Sequence, residues 1–236
     1  MIRYKTVPVF GLVLLLFAGC ADSSQDEAAN EVARSADELR TAMDEMRTDL
    51  QFTLDQFEQR IEALDQRYMN ANAEIAADWE ETRNGMAEYR QHLEADMARL
   101  ETATEEEARQ LKDAMADDLE QLSQRVERAH LESIDGGEEF VAASRDRLSR
   151  LEQDFRVLQV EADELPTEAR MAAGETRQEL STRAEDLGHR LDELASATAE
   201  EIDDEREDIA EDISSLTASV ERELFEMRQA FATGEN

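Results

Sequence analysis

Apolar residues, with an occasional threonine, return every three or four positions along two stretches, Val32–Ala129 and Phe140–Phe231, and few patterns narrow the choices of a polypeptide so far. One stripe steps from Val32 through Leu50, Leu64, Trp79, Leu93 and Leu122 to Ala129. A second runs from Phe140 through Leu151, Leu180, Ile209 and Val220 to Phe231. The spacing matches the α-helical turn and not the period of two that a half-buried strand would show, so an all-α chain is expected. The stripe is narrow, and Glu205 is the one charged residue on its path. That width fits a coiled-coil seam better than a helix sunk in a globular core. Over Tyr89–Leu122 and Leu194–Met227 the steps run 4-4-3. Eleven residues in three turns predict straight or weakly right-handed helices there.

Breaks in the pattern are few. With eight glycines and two prolines in 236 residues, the chain has too few turn signals for a sandwich, a barrel or a doubly wound sheet. The strongest break is Asp135-Gly136-Gly137-Glu138, because two adjacent glycines cost about 2 kcal/mol inside a helix. Asp135 and Glu138 also have the spacing of a capping box. At Asn84-Gly85 the stripe holds its phase from Trp79 to Met86, so the helix is expected to continue. Phase is likewise kept from Leu158 to Ala169, which predicts a kink at Pro166 and not an end.

The architecture expected from these signals is a long helical hairpin. Helix one covers residues 25–134, the turn lies at 135–137, helix two covers 138–232, and 233–236 fray. Facing residues would then have numbers adding to about 272, which sets Phe155 opposite Met115. Phe225 and Phe231 would face Met46 and Met43. An unbroken rod pairing in parallel with other copies also fits the phase across the double glycine.

The amino terminus carries a separate signal. Arg3 and Lys5 precede an apolar run from Val7 to Ala18, and charge returns at Asp22. The run is shorter than the ~20 residues a spanning helix needs. A basic start, a short apolar stretch and small residues behind it read as a signal peptide over 1–19. The single cysteine closes it, in Leu16-Phe17-Ala18-Gly19-Cys20. This segment resembles the lipobox of bacterial lipoproteins, although Phe17 stands where that family prefers leucine. The resemblance implies cleavage before Cys20, acylation of its thiol, palmitate-type chains in the membrane and a place in the cell envelope. Ala21 after the cysteine favours the outer membrane within that family's sorting pattern. Residues 20–24 would be the lipidated terminus and a short tether, with Ser24 and Glu27 able to cap the first helix. An ordinary signal peptide cut after Ala21 is the alternative. Lys112 is the one lysine beyond the signal segment, and the chain ends Thr233-Gly234-Glu235-Asn236. Attachment to peptidoglycan through a terminal lysine is therefore not expected.

Charge and cysteine content exclude further classes. Fifty-nine acids against 25 bases give a net charge of −34, which repels phosphate backbones and argues against nucleic-acid binding. One cysteine allows neither a disulfide framework nor a multi-cysteine zinc site. Glu127-Arg128-Ala129-His130 has the Glu-x-x-His spacing of di-iron bundles. Its nearest counterpart, Asp186-Leu187-Gly188-His189, has the wrong acid and would lie far along a hairpin. The acids of residues 200–212 and Glu105-Glu106-Glu107 lack the loop that curls carboxylates around calcium, so they read as solvated helix faces. No enzyme activity, cofactor, metal or small-molecule substrate is expected. The function expected is that of a lipid-anchored structural spacer, scaffold or interaction module, as a homo-oligomer or with a helical protein partner. The 11-residue amphipathic repeats also resemble exchangeable apolipoproteins, which implies lipid binding. An interfacial helix favours Lys and Arg on its polar face, however, and this polar face is acidic.

Overall fold

The computed structural model describes the backbone of residues 22–69, 73–100, 102–164 and 167–233, and side chains chiefly between Arg40 and Arg228. The chain divides between Asp37 and Glu38, and the bundle is formed from Glu38 onward. Every regular element among the described residues is helical, as the spacing requires. The helices are α1 (Asp22–Tyr68), α2 (Ala73–Leu100), α3 (Glu105–Glu132), α4 (Gly137–Glu164), α5 (Thr167–Leu194) and α6 (Ala199–Thr233).

Among the described residues six helices stand where two were expected. The turn around 135–137 is present, between the end of α3 at Glu132 and the start of α4 at Gly137. The long helices on either side of it are not. Each is divided in three, and the chain reverses at every junction. Arg90 reaches back to Glu58 at 3.2 Å and Arg83 to Asp65 at 3.3 Å, so α2 is antiparallel to α1. Arg145 meets Asp192 and Arg183 meets Ser215, which sets α5 antiparallel to both α4 and α6. Pro166 lies outside the described residues. Its flanking helices run antiparallel, so the expected kink is a reversal.

The stripe could not reveal these reversals. A connection of about four residues occupies one step of the same three-or-four spacing, as at Leu100, Thr104 and Ala108. Phase therefore survives while direction inverts. Local chemistry does mark two of the turns. Thr104 caps α3: its hydroxyl accepts from the Glu107 N–H, and the Glu107 carboxylate accepts from the Thr104 backbone N–H at 2.8 Å. Thr198 and Glu201 repeat the arrangement at the start of α6. These bonds from Thr104 and Thr198 hold the Glu107 and Glu201 carboxyls below their ordinary range. Capping boxes satisfy helix N–H groups that otherwise have no partner. Thr104→Ala or Thr198→Ala is expected to cost ~1 kcal/mol, read by circular dichroism as a melting temperature lower by about 2–4 °C.

Two glycines permit close approaches. At the start of α4, a β-carbon on Gly137 would sit 3.2 Å from Ile202 of α6. The first α4 bond runs from the Phe140 N–H to the Gly136 carbonyl, so Gly136 and not Asp135 flanks the helix. Gly85 lies inside α2, which runs unbroken through it as expected. A β-carbon there would sit 3.0 Å from the Arg125 guanidinium of α3, which also lies 5.3 Å over the Tyr89 ring.

Within the bundle, α3 and α6 form a central antiparallel pair. Arg222 of α6 reaches Asp117 and Glu120 of α3 at 2.6 and 2.7 Å. Arg128 of α3 reaches Glu207 and Glu211 of α6 at 3.2 and 3.5 Å. The apolar interior falls into two clusters. One is drawn from α1, α2 and α3 with Phe225 of α6; the other comes from α4, α5 and α6 with Leu131 of α3 and Ile134 just beyond it. Phe155 packs on the second cluster while Met115 belongs to the first, so the expected pairing of these two does not occur. Phe225 and Met46 do share a cluster; the side chain of Phe231 lies outside the described residues. Central position also widens the buried face. In α6 Ala210, Ser214, Thr217 and Ala218 are buried beside Ile209, Ile213 and Leu216, which is the burial of a bundle's inner helix and not of a narrow seam.

Candidate functional site

The described part of the bundle places its most unusual chemistry where α1, α3, α4 and α6 converge. Glu127 of α3 is only 2 % exposed. Its carboxylate lies between Arg60 of α1 and Arg147 of α4, the latter at 3.1 Å. Arg147 also reaches Glu221 of α6 at 3.3 Å. Two cations thus hold two carboxylates and tie four helices. Ser144 and Thr217, one turn from Arg147 and Glu221, are fully buried, as is Ser123, one turn before Glu127. Because α3 runs against α4 and α6, these hydroxyls flank the ion network on its two sides.

Burying such charges costs several kcal/mol each unless the partners are well placed, so the net contribution to stability is small. What the network does specify is pairing: a slip of one residue along α3 would turn Glu127 away from both guanidiniums. Beside it, a cavity of about 150 Å³ is lined by Phe57, Arg60, Leu119, Glu221, Phe225 and Arg228, among others. That volume admits a few waters and falls below the ~300 Å³ where small-molecule pockets begin.

His130 lies one turn beyond Glu127. Burial pushes its imidazole below the ordinary value, the charge of Glu127 opposes the shift, and Arg67, Arg60 and Arg147 reinforce it. A folded-state value below the unfolded one gives stability that is present above about pH 6.5 and lost as pH falls. Burial acts in the opposite direction on Asp118, Asp154 and Glu223, whose carboxyls are raised. Those groups favour folding as pH drops into the carboxylate range. The expected outcome is that His130→Leu removes the loss of stability between about pH 7 and 5.5 while leaving the carboxylate effect at lower pH. Melting temperature measured across that range decides it, and an unchanged slope would refute the assignment.

At the α1–α2 end, Tyr68 and Trp79 stack with centroids 4.7 Å apart. The Tyr68 hydroxyl donates to the Ala129 carbonyl, and the Trp79 indole donates to Asp65. Burial, with the charge of Glu132 behind it, raises the phenol to about 12.

The sequence-expected sites fare differently. Cys20, the expected lipidation site, lies outside the described residues, as do the side chains of Ser24 and Glu27. Glu127 of the Glu-x-x-His motif is the acid of the ion network, its carboxylate occupied by arginines. The counterpart at His189 is not remote, as a hairpin would make it. Leu148 is 3.6 Å from a β-carbon placed on Gly188, and its neighbour Arg147 is on Glu127, so the two motifs flank α4. His189 itself is exposed. The acids of 200–212 lie on a solvated face as expected, and four of them make surface ion pairs, Glu205 and Asp212 with Arg190 and Glu207 and Glu211 with Arg128.

Arg60, Glu127, Arg147 and Glu221 form a site that the stripe did not single out. A signal was present in the uncharged run Ile213–Val220, directly before Glu221-Arg222, in a chain with 36 % charged residues. Such a run marks a helix buried all round, beside which an acid must find partners. Among the described residues no helix is long and apolar enough to cross a membrane. Comparison with family models, with curated proteins and with solved structures finds no match to this chain.

Proposed function

We propose that this protein is a lipid-anchored helical bundle of the bacterial cell envelope that acts as a scaffold or interaction module. The observation that carries the reading is the sole cysteine at the end of a signal-like segment, in Leu16-Phe17-Ala18-Gly19-Cys20. Acylation there would supply the membrane attachment, since each buried methylene contributes ~0.8 kcal/mol and several chains make an anchor stable. A strongly acidic surface keeps such a bundle soluble beside an anionic membrane and discourages indiscriminate association. The reading assigns no reaction, and the partner it calls for is a helical protein or further copies of the chain.

Labelled palmitate tests the anchor. The wild-type chain is expected to take up label and sediment with membranes, and Cys20→Ser to lose both. A wild-type chain that takes no label and stays soluble would overturn the proposal. The apolipoprotein-like alternative is tested with a form starting at Ala21 and phosphatidylglycerol vesicles. This lipid-free form is expected not to float with them, and strong flotation would favour the alternative.

A further inference from the structure

The two halves of the bundle repeat one another. Helix α2 spans Ala73–Leu100 and α5 spans Thr167–Leu194, both ends displaced by 94 residues. Helices α3 and α6 begin at Glu105 and Ala199, again 94 apart. Aligned at that offset, residues 43–132 and 137–226 agree at 22 of 90 positions. The matches come in blocks, including Glu81-Thr82-Arg83 with Glu175-Thr176-Arg177 and Val126-Glu127-Arg128 with Val220-Glu221-Arg222.

Structure repeats with sequence. Buried Leu54, Leu93, Leu100, Leu122 and Val126 correspond to buried Leu148, Leu187, Leu194, Leu216 and Val220. The turns close alike, with Ala103 N–H on Leu100 and Ala197 N–H on Leu194. Thr104–Glu107 and Thr198–Glu201 are the same capping box. These shared contacts at one offset are more than common helical periodicity would supply, since that fixes phase but not turn hydrogen bonds or ion pairs.

One pair of contacts between the halves also obeys the exchange. Arg128 pairs with Glu132 on its own helix and with Glu211 across the interface. Arg222, its equivalent, pairs with Glu226, equivalent to Glu132, and with Asp117, equivalent to Glu211. Glu127 and Glu221 are equivalent too, but Arg147, which touches both, has Thr53 as its own equivalent, so this contact belongs to one half alone. Residue i meeting j while j's equivalent meets i's equivalent is the signature of a two-fold, self-complementary interface.

We propose that the face of α3 packed on α6 is a self-pairing surface: the chain is a tandem duplication of a 94-residue three-helix unit, and the partner this surface fits is a second copy of that unit. The turn at Ser133–Gly136 joins two units that meet as a homodimer would. The two-fold is imperfect where only one copy carries a feature, as with the Tyr68–Trp79 stack against Ala162 and Ala173.

The test replaces residues 137–226 of the full chain with the sequence of residues 43–132, so that the first unit faces itself. A monomer by light scattering that unfolds in one helical transition, with α3 against its copy, is the expected result. A helical chain whose halves stay undocked would overturn the proposal. Should that variant not fold, spin labels in the native chain with Cys20→Ser decide. Labels at Asp117→Cys with Arg222→Cys, and at Glu211→Cys with Arg128→Cys, are expected to give coinciding distances. Clearly different distances would overturn it. Lipid attachment plays no part in either readout.

Discussion

Glu127→Ala is expected to destabilise the bundle by about 3–5 kcal/mol, since it takes the shared buried carboxylate from Arg60 and Arg147 and leaves Arg147 with Glu221 alone. For a chain of this size that corresponds to a melting temperature lower by roughly 6–20 °C. Arg147 suffers most, its side chain being 15 % exposed; Arg60, at 33 %, can turn partly to water. The discriminating variant removes all four charges together, as Arg60→Met, Glu127→Leu, Arg147→Met and Glu221→Leu. Buried ion networks exchanged for apolar groups of similar volume are often neutral or stabilising. The quadruple variant is therefore expected to recover most of the stability that Glu127→Ala loses. A quadruple variant as unstable as the single one would show that the network supplies net stability and not only helix pairing.

Phe140→Ala is expected to cost a similar ~3–5 kcal/mol by a different route. The ring is fully buried in the first turn of α4, on the second apolar cluster and under the Arg206 guanidinium at 5.0 Å. Truncation loses the transfer free energy of the ring and opens a cavity that helices anchored at the adjacent turn cannot fully close. Phe52→Ala is the control, because that ring is 65 % exposed on α1 and is expected to change stability by no more than ~0.5 kcal/mol. Thermal or urea unfolding distinguishes the two, and equal effects would contradict the placement of Phe140.

The repeat shows how much could be read from residues alone. Val126-Glu127-Arg128 and Val220-Glu221-Arg222 are plain in the sequence, as are Thr104-Glu105-Glu106-Glu107 and Thr198-Ala199-Glu200-Glu201. An apolar stripe with one phase hides them, since every turn of an amphipathic helix resembles every other. The threonines fall on the stripe and the glutamates on a charged face. Their 3-residue spacing nonetheless marked two helix starts.

The sequence by itself determined the helical class, the apolar face of each helix and the turn near Gly136-Gly137. These follow from local physics: side-chain spacing selects a period, and two glycines weaken a helix wherever they stand. Tertiary structure alone decided that the chain reverses between Tyr68 and Ala73, after Leu100, between Glu164 and Thr167, and after Leu194. A connection of two to four residues fits within one ordinary step of the stripe, so periodicity carries no information about direction. The same folding decided that Glu127 is buried. Its neighbours in sequence place it beside an apolar face, but only the arrival of α1, α4 and α6 around α3 removes the water and brings Arg60 and Arg147 to replace it.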